Sequence, residues 1–235
     1  MEQVMTKLDM REFKTEETTV TAQTPVTAVQ APITTPAAPP LPEPLRGDPA
    51  MIALPTVIAG AVGLFLTTIG FVPASAGLAA IPVILAATVL GLLISTIWAA
   101  MLGQNVVATL YAVFLGFYAS YVALQLGIAN NWYKIPTDQI GNTVAVYLIC
   151  WLVAIVMLTL ATLRLPAAFT ILLGLVDVVL DVLLVTIYQP SGVLQIVAGL
   201  LVFAFVAEGI YLYFHVMSLA FGGKGLPLGK PFIAA

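Results

Sequence analysis

The chain has 235 residues, of which 61% are hydrophobic and only 8% are charged. Soluble domains carry about 25% charged residues, so this composition excludes an ordinary soluble protein. It predicts a membrane protein whose helices are surrounded by the lipid bilayer. The net charge of −3 provides no basic surface for nucleic acid. One cysteine, Cys150, allows neither an internal disulfide nor a cysteine-based metal cluster, and no metal or other cofactor is expected.

Residues 1–47 differ from the rest because they are rich in Thr, Pro and acidic residues and lack apolar periodicity. Such a segment buries too little surface to offset its ordering entropy, so it is predicted to be a disordered cytoplasmic tail with polyproline character. Its polar start is unlike a secretory signal, and the first membrane helix should remain uncleaved. The tail either is a plain solvated extension or binds a partner.

Residues 48–235 are predicted to form one all-α membrane domain. A spanning helix needs about 20 mostly apolar residues, and six segments reach this length. These segments are Met51–Val72, Gly77–Leu102, Val106–Leu126, Val144–Leu163, Ala167–Tyr188 and Gly192–Phe221. Short turns rich in Gly and Pro separate most of them, so successive helices should be antiparallel neighbours, and only residues 127–143 form a longer loop.

The basic residues near helix ends predict the orientation in the membrane. With the tail in the cytoplasm, Arg46, Arg164, Lys224 and Lys230 lie inside and only Lys134 lies outside. The positive-inside rule therefore favours a multi-pass protein of the plasma membrane with both termini cytoplasmic.

Small residues recur along the predicted helices, as at Ala59, Gly60 and Gly63 of the first and at Gly116 and Ala119 of the third. Such residues let helix backbones approach closely. They predict close contacts either within one protomer or between protomers.

Three acidic residues lie inside predicted spans. Asp177 and Asp181 are one turn apart in the fifth span, and Glu208 lies in the sixth. A carboxylate at this depth is energetically costly and usually marks function, because without a partner it would bind a proton. These residues are therefore candidates for proton coupling. The alternatives are a structural bond to a neighbouring helix and, for the aspartates, a subunit interface.

His215 is the one histidine of the chain and is predicted to lie near the cytoplasmic edge of the last helix. Histidine is the one side chain whose ordinary pKa is close to neutrality, which makes His215 a functional candidate, and the alternative is an interface residue bonded to a carbonyl or a headgroup. The sequence contains no phosphate-binding loop, zinc-protease motif or nucleophile triad, so an enzyme is not expected.

Several local patterns occur in the same order as in one transporter family. The first helix opens with Asp48-Pro49-Ala50-Met51-Ile52-Ala53-Leu54, where that family has Asn-Pro-Ala-Pro-Leu-Gly-Leu. Further matching patterns are Ala108-Thr109, Phe117-Tyr118, Tyr147-Leu148, Ile210-Tyr211-Leu212 and Leu226-Pro227-Leu228-Gly229. The series resembles the acetate uptake transporter family, also called the GPR1/FUN34/YaaH or succinate-acetate permease family.

The resemblance implies a six-helix fold, a pathway through each protomer, a homohexamer and small monocarboxylates as substrates. The substrate-pathway residues it implies are Pro49, Ala50, Leu54, Val57, Phe114, Phe117, Tyr118, Val176 and Tyr211. The family narrows its pathway with Phe, Tyr and Leu, and the aligned residues here are Val57, Phe114 and Val176. The constriction is therefore expected to be wider or to lie elsewhere.

The leading hypothesis is a transporter of acetate or a similar short-chain carboxylate, coupled to a proton. The alternatives are a passive channel for small anions and a non-transporting membrane adaptor that works through its Pro-rich tail.

Overall fold

The computed structural model describes residues 47–73 and 76–233, so almost all of the predicted tail lies outside the described residues. Within them, six helices are long and apolar enough to cross a membrane, which confirms the predicted fold class. They are α1 (Ala50–Thr68), α2 (Ile81–Met101), α3 (Asn105–Ala129), α4 (Ile140–Thr162), α5 (Ala167–Tyr188) and α6 (Gly192–Ala220).

The first two helices are shorter than their hydropathy predicts. Helix α1 ends at Thr68 rather than Val72 because Gly70 adopts a φ of 76°. The turn closes when the Phe71 N–H donates to the Leu66 carbonyl at 3.0 Å, a common way to end a helix. Helix α2 begins at Ile81 with Pro82 in its first turn, where the missing proline N–H has no helical partner to lose.

The long loop predicted at residues 127–143 is shorter in the structure, where residues 130–136 separate the helical segments. Helix α3 continues to Ala129, and a 3-10 turn, Thr137–Gln139, leads directly into α4 at Ile140. The polar first turn of α4 is stabilised by the Thr143 hydroxyl, which donates to the Gln139 carbonyl at 3.0 Å. Hydropathy underestimates these helices because it detects only the part that matches the hydrocarbon core.

Helices α1 and α2 interlock through alternating threonines and glycines. The Thr88 hydroxyl donates to the Thr56 carbonyl at 2.7 Å, across the two helices. A Cβ added at Gly60 would collide with Thr88, and one added at Gly91 would collide with Thr56. Thr88 lies in a π-helical segment of α2, Ile84–Val89. These small residues therefore bring helices together within the protomer.

Helices α3 and α4 pack through aromatic side chains. The Trp151 Nε1–H donates to the Ser120 hydroxyl at 3.0 Å, and the Tyr147 hydroxyl donates to the Phe117 carbonyl at 3.0 Å. The Trp151 ring occupies the space that a side chain at Gly116 would need. This cluster fixes the rotation of α3, which carries several of the predicted pathway residues.

The segment after α6, residues 221–233, folds back against the bundle, and we call it the terminal strap. Its Leu228 carbonyl accepts from the Ala168 N–H at 3.0 Å, and the Ile233 N–H donates to the Leu163 carbonyl at 3.0 Å. The Tyr211 hydroxyl donates to the Pro227 carbonyl at 2.5 Å. The strap is thus held to the end of α4, the start of α5 and the last turns of α6.

Candidate functional site

Two cavities lie inside the helix bundle. The loop-side cavity, about 260 Å³, extends toward the α3–α4 connection and is lined by Leu64, Gln125 and Ile187 among others. The terminal-side cavity, about 330 Å³, extends toward the start of α1 and the terminal strap and is lined by Asp48, Gln104 and His215 among others. Together they extend from one end of the bundle toward the other.

Phe114 of α3 and Phe205 of α6 line both cavities and form the boundary between them. Both side chains are buried, and their ring centroids are 6.1 Å apart. Because each residue lies near the middle of its helix, the boundary falls near the centre of the predicted hydrocarbon core. We call this pair the phenylalanine barrier.

Sequence reasoning missed Phe205. Helix α6 is apolar all round, so hydropathy does not reveal which side faces a cavity. One weak signal was available. Phe205, Leu212 and Leu219 are spaced by seven residues, which places them on one helical face, and all three line the terminal-side cavity.

Seven of the nine predicted pathway residues line a cavity. Ala50, Leu54 and Val57 line the terminal-side cavity, whereas Phe117, Tyr118 and Val176 line the loop-side cavity and Phe114 lines both. Pro49 is buried beneath the first turn of α1, and Tyr211 is bonded to the terminal strap. Neither of these two residues lines the two cavities.

Two of the three residues aligned with the family's constriction lie on either side of the barrier rather than within it. Val57 lines only the terminal-side cavity and Val176 only the loop-side cavity. Phe114 is the one aligned residue in the barrier, and Phe205 opposes it from α6. Val57 and Val176 are smaller than the family's residues at these positions, and the large side chain that narrows the space here is Phe205 of α6.

The loop-side cavity is lined without charged side chains among the described residues. Its polar groups belong to residues such as Tyr118, Tyr121, Gln125 and Thr186. Such a lining offers neutral hydrogen-bond partners within apolar walls, which is typical of sites for small amphipathic molecules.

Asp177 lies between α4 and α5, away from both cavities. Its Oδ2 accepts from the Thr159 hydroxyl at 2.7 Å, while its buried Oδ1 has no partner among the described residues. The Thr159 hydroxyl is also 3.0 Å from the Ile155 carbonyl. One hydroxyl proton thus faces two acceptors.

The other two acidic candidates also lie outside the two cavities. Asp181 is exposed on the outer side of α5, between the exposed residues Val178 and Val185. Glu208 is half-buried on α6. The structure therefore does not bring the three carboxylates together in one cavity.

His215 lines the terminal-side cavity, and its Nδ1 is 2.6 Å from the Leu226 carbonyl of the strap. From the sequence, a carbonyl or a headgroup was expected as a bonding partner of His215, and in the structure the partner is a carbonyl. In the part of the chain that the structure describes, no cluster of three His, Cys, Asp or Glu residues is placed to hold a metal ion.

The sequence model of the GPR1/FUN34/yaaH family matches residues 33–221. A solved structure of the bacterial acetate channel SatP has a TM-score of 0.68 and 19% sequence identity to this chain, and the match covers 78% of this chain and 99% of the other. No curated protein matches the chain.

Proposed function

The chain belongs to the GPR1/FUN34/yaaH family, and on this premise we propose that it carries acetate or a similar short-chain carboxylate, with a proton, across the plasma membrane. The observation that carries the proposal is the pair of cavities that meet at Phe114 and Phe205. They supply a route along the bundle that is interrupted by one thin aromatic barrier.

The size and lining of the cavities suit this class of substrate. Each cavity is large enough for a small molecule, and each combines apolar walls with a few polar groups. A short acyl chain can contact the apolar walls while its carboxyl group bonds tyrosine, glutamine or threonine. The structural neighbour's title names an acetate channel, which supports the same substrate class.

The barrier favours the undissociated acid over its anion. An ion in an apolar interior costs several kcal/mol even after relaxation, whereas a neutral polar group without a partner costs about 1–3 kcal/mol. Phe114 and Phe205 offer no charge or hydrogen bond to an anion. Substrate should therefore cross the barrier together with its proton.

Asp177, Asp181 and Glu208 are the carboxylates proposed to take part in proton coupling. Asp177 has the geometry that best supports this role. A protonated Asp177 donates to Thr159, which frees the Thr159 hydroxyl to donate to Ile155, so that both short contacts are satisfied. Ionised Asp177 leaves one of the two acceptors without a proton.

We propose a homohexamer with both termini in the cytoplasm. The outer stripe of α5 supports assembly because Asp181 is exposed there at membrane depth, beside the apolar residues Ile171, Val178 and Val185. Facing lipid, an aspartate at this position would be costly, whereas a neighbouring subunit can shield it or bond to it.

A passive channel is the second candidate, because the structural neighbour is titled a channel. The experiment is uptake of labelled acetate into liposomes that contain the purified protein, with protein-free liposomes as the control. If an imposed pH gradient drives the internal acetate concentration above the external one, beyond the level in protein-free liposomes, the result supports the proton-coupled transporter. Uptake that only equilibrates acetate supports the channel, and uptake no faster than in protein-free liposomes contradicts both.

A further inference from the structure

Across the two cavities, charged or readily charged side chains are few. Among the described residues that line them, Asp48 is the one carboxylate and His215 is the one imidazole, and both belong to the terminal-side cavity, while no lysine or arginine lines either cavity. His215 is thus the one lining residue able to become positive. A carboxylate that reaches this cavity can form an ion pair with no other side chain of the lining.

The hydrogen bond to Leu226 fixes which ring nitrogen is free. A backbone carbonyl only accepts hydrogen bonds, so the Nδ1 of His215 must carry a proton to bond it at 2.6 Å. Nε2 is then the nitrogen that has no hydrogen in the neutral ring, and its lone pair can accept a proton. The ring is therefore prepared to act through Nε2.

The position of the Leu226 carbonyl is itself fixed by the strap. The neighbouring Pro227 carbonyl accepts from Tyr211, and the Leu228 carbonyl accepts from the Ala168 N–H. Gly225 makes the turn before Leu226 with a φ of 70°, and a side chain at Gly225 would collide with the His215 ring. The strap thus orients the imidazole within the cavity.

The other charged groups near this cavity either bond to backbone or lie outside its lining. Asp48 accepts from the Ala50 N–H at 2.8 Å and so caps the start of α1. Tyr111 of α3 lines the same cavity, whereas α5 contributes Phe169, Leu172 and Leu173, and α2 contributes Leu92.

The remaining charged groups at this end lie outside the lining. Glu208 lies two turns before His215 on α6, and Arg164, Lys224 and Lys230 lie at the strap end of the bundle.

We infer that His215 is a substrate-binding residue that accepts the proton of the arriving carboxylic acid at the terminal-side cavity. In this step the acid's O–H bond breaks, an N–H bond forms at Nε2, and the electron pair of the broken bond remains on the carboxylate. The carboxylate and the imidazolium then form an ion pair. The reverse step returns the proton to an anion that enters from the same side. This inference rests on the proposed function, because it assigns the place where that substrate and its proton separate.

The chain has one histidine, so a single imidazole can be observed directly. The full chain, purified through a tag without histidine and placed in lipid nanodiscs, is labelled with ¹⁵N-histidine and titrated with sodium acetate against sodium chloride at constant pH. The Nε2 signal should move toward that of a protonated ring and saturate with acetate but not with chloride. No response to acetate in a protein that transports acetate overturns the inference.

Transport by His215→Asn and Phe214→Leu separates loss of the imidazole from a general disturbance of α6. Asn can still donate a hydrogen bond near the position of Nδ1 but has no second ring nitrogen to accept a proton, whereas Phe214 is exposed at the adjacent position and lies outside both linings. His215→Asn should reduce gradient-driven acetate uptake by about tenfold, within the usual range for coupling between two ligands, and Phe214→Leu should retain it.

Equal gradient-driven uptake by native protein and a folded His215→Asn variant overturns the inference even if acetate is transported. If His215→Asn does not fold, the ¹⁵N-histidine measurement on the native protein with sodium acetate still tests the inference. Failure of the native protein to move acetate at all instead overturns the proposed function, so the two failures are distinguishable.

Discussion

At the scale of single residues, the barrier depends on a pair of side chains from helices that are distant in sequence. Phe114 occupies the position that the family resemblance indicated, but Phe205 does not. Val57 and Val176 lie on either side of the pair, so their small size widens the cavities without opening the barrier. The residue that sets the width of the route is therefore Phe205 as much as Phe114.

Phe205→Leu should increase uptake and admit longer acids. Leucine stays apolar but removes the ring that faces Phe114, at a stability cost of about 1 kcal/mol, as for other hydrophobic replacements of similar volume. The butyrate-to-acetate uptake ratio in liposomes should rise. Phe203→Leu, on the exposed side of the same helix, is the matched control and should leave the ratio unchanged. An unchanged ratio in a folded Phe205→Leu variant would mean that the pair is not the barrier.

Asp177→Asn tests the proposed carboxylate site. Asn keeps the size of Asp177 and its bond to Thr159 but cannot ionise. If Asp177 carries the coupled proton, uptake should lose its response to a pH gradient while expression and oligomer size stay normal. Asp181→Asn is the comparison one turn away. Gradient-driven uptake that persists in well-folded Asp177→Asn would leave Asp177 with a structural role only.

At the scale of helices, the sequence predicts the number and order of the spans much better than their rotation. Long apolar runs such as Ala167–Tyr188 are recognisable because the bilayer thickness imposes their length. The helices are apolar on all sides, because lipid and protein interior are both apolar, and periodicity then carries little information about faces. Asp177 illustrates this limit, since its depth was predictable but its contact with Thr159 was not.

Gly60→Ala should destabilise the protein. An added methyl group at Gly60 collides with Thr88, whose hydroxyl is held by the Thr56 carbonyl, so α1 and α2 must move apart. Overpacking of this kind costs about 1–3 kcal/mol. The measurement is the melting temperature in detergent.

Gly141→Ala is the matched control because an added Cβ there would meet only Ile187, at 3.5 Å. The alanine should leave the melting temperature unchanged or raise it slightly, because alanine favours helix. Equal melting temperatures for both variants and the native protein would contradict the interlocked packing of α1 and α2.

At the scale of the whole molecule, an even number of spans places both ends of the domain on one side of the membrane. The start of α1, His215 and the strap all border the terminal-side cavity. This end of the bundle also carries Arg164, Lys224 and Lys230, whereas Lys134 lies in the α3–α4 connection. The positive-inside rule therefore predicts that the terminal-side cavity faces the cytoplasm.

Cysteine labelling in intact cells tests this orientation. In a Cys150→Ser background, Asn131→Cys should react with an impermeant thiol reagent and Lys224→Cys should not, although both positions are exposed on the protein. Both variants should react equally after the cells are opened. The opposite pattern would place the terminal-side cavity outside the cell.

We propose that the two cavities form one route for a short-chain carboxylate. The most direct measurement is acetate uptake before and after N-ethylmaleimide treatment of Leu54→Cys, Val179→Cys and Val178→Cys, each in a Cys150→Ser background. Leu54 and Val179 line the terminal-side and loop-side cavities, whereas Val178 is exposed on the outer side of α5. Mass spectrometry measures the extent of modification. We predict that modification blocks uptake by the Leu54→Cys and Val179→Cys variants and spares uptake by Val178→Cys. Full modification of both cavity cysteines with unchanged acetate uptake would contradict the route.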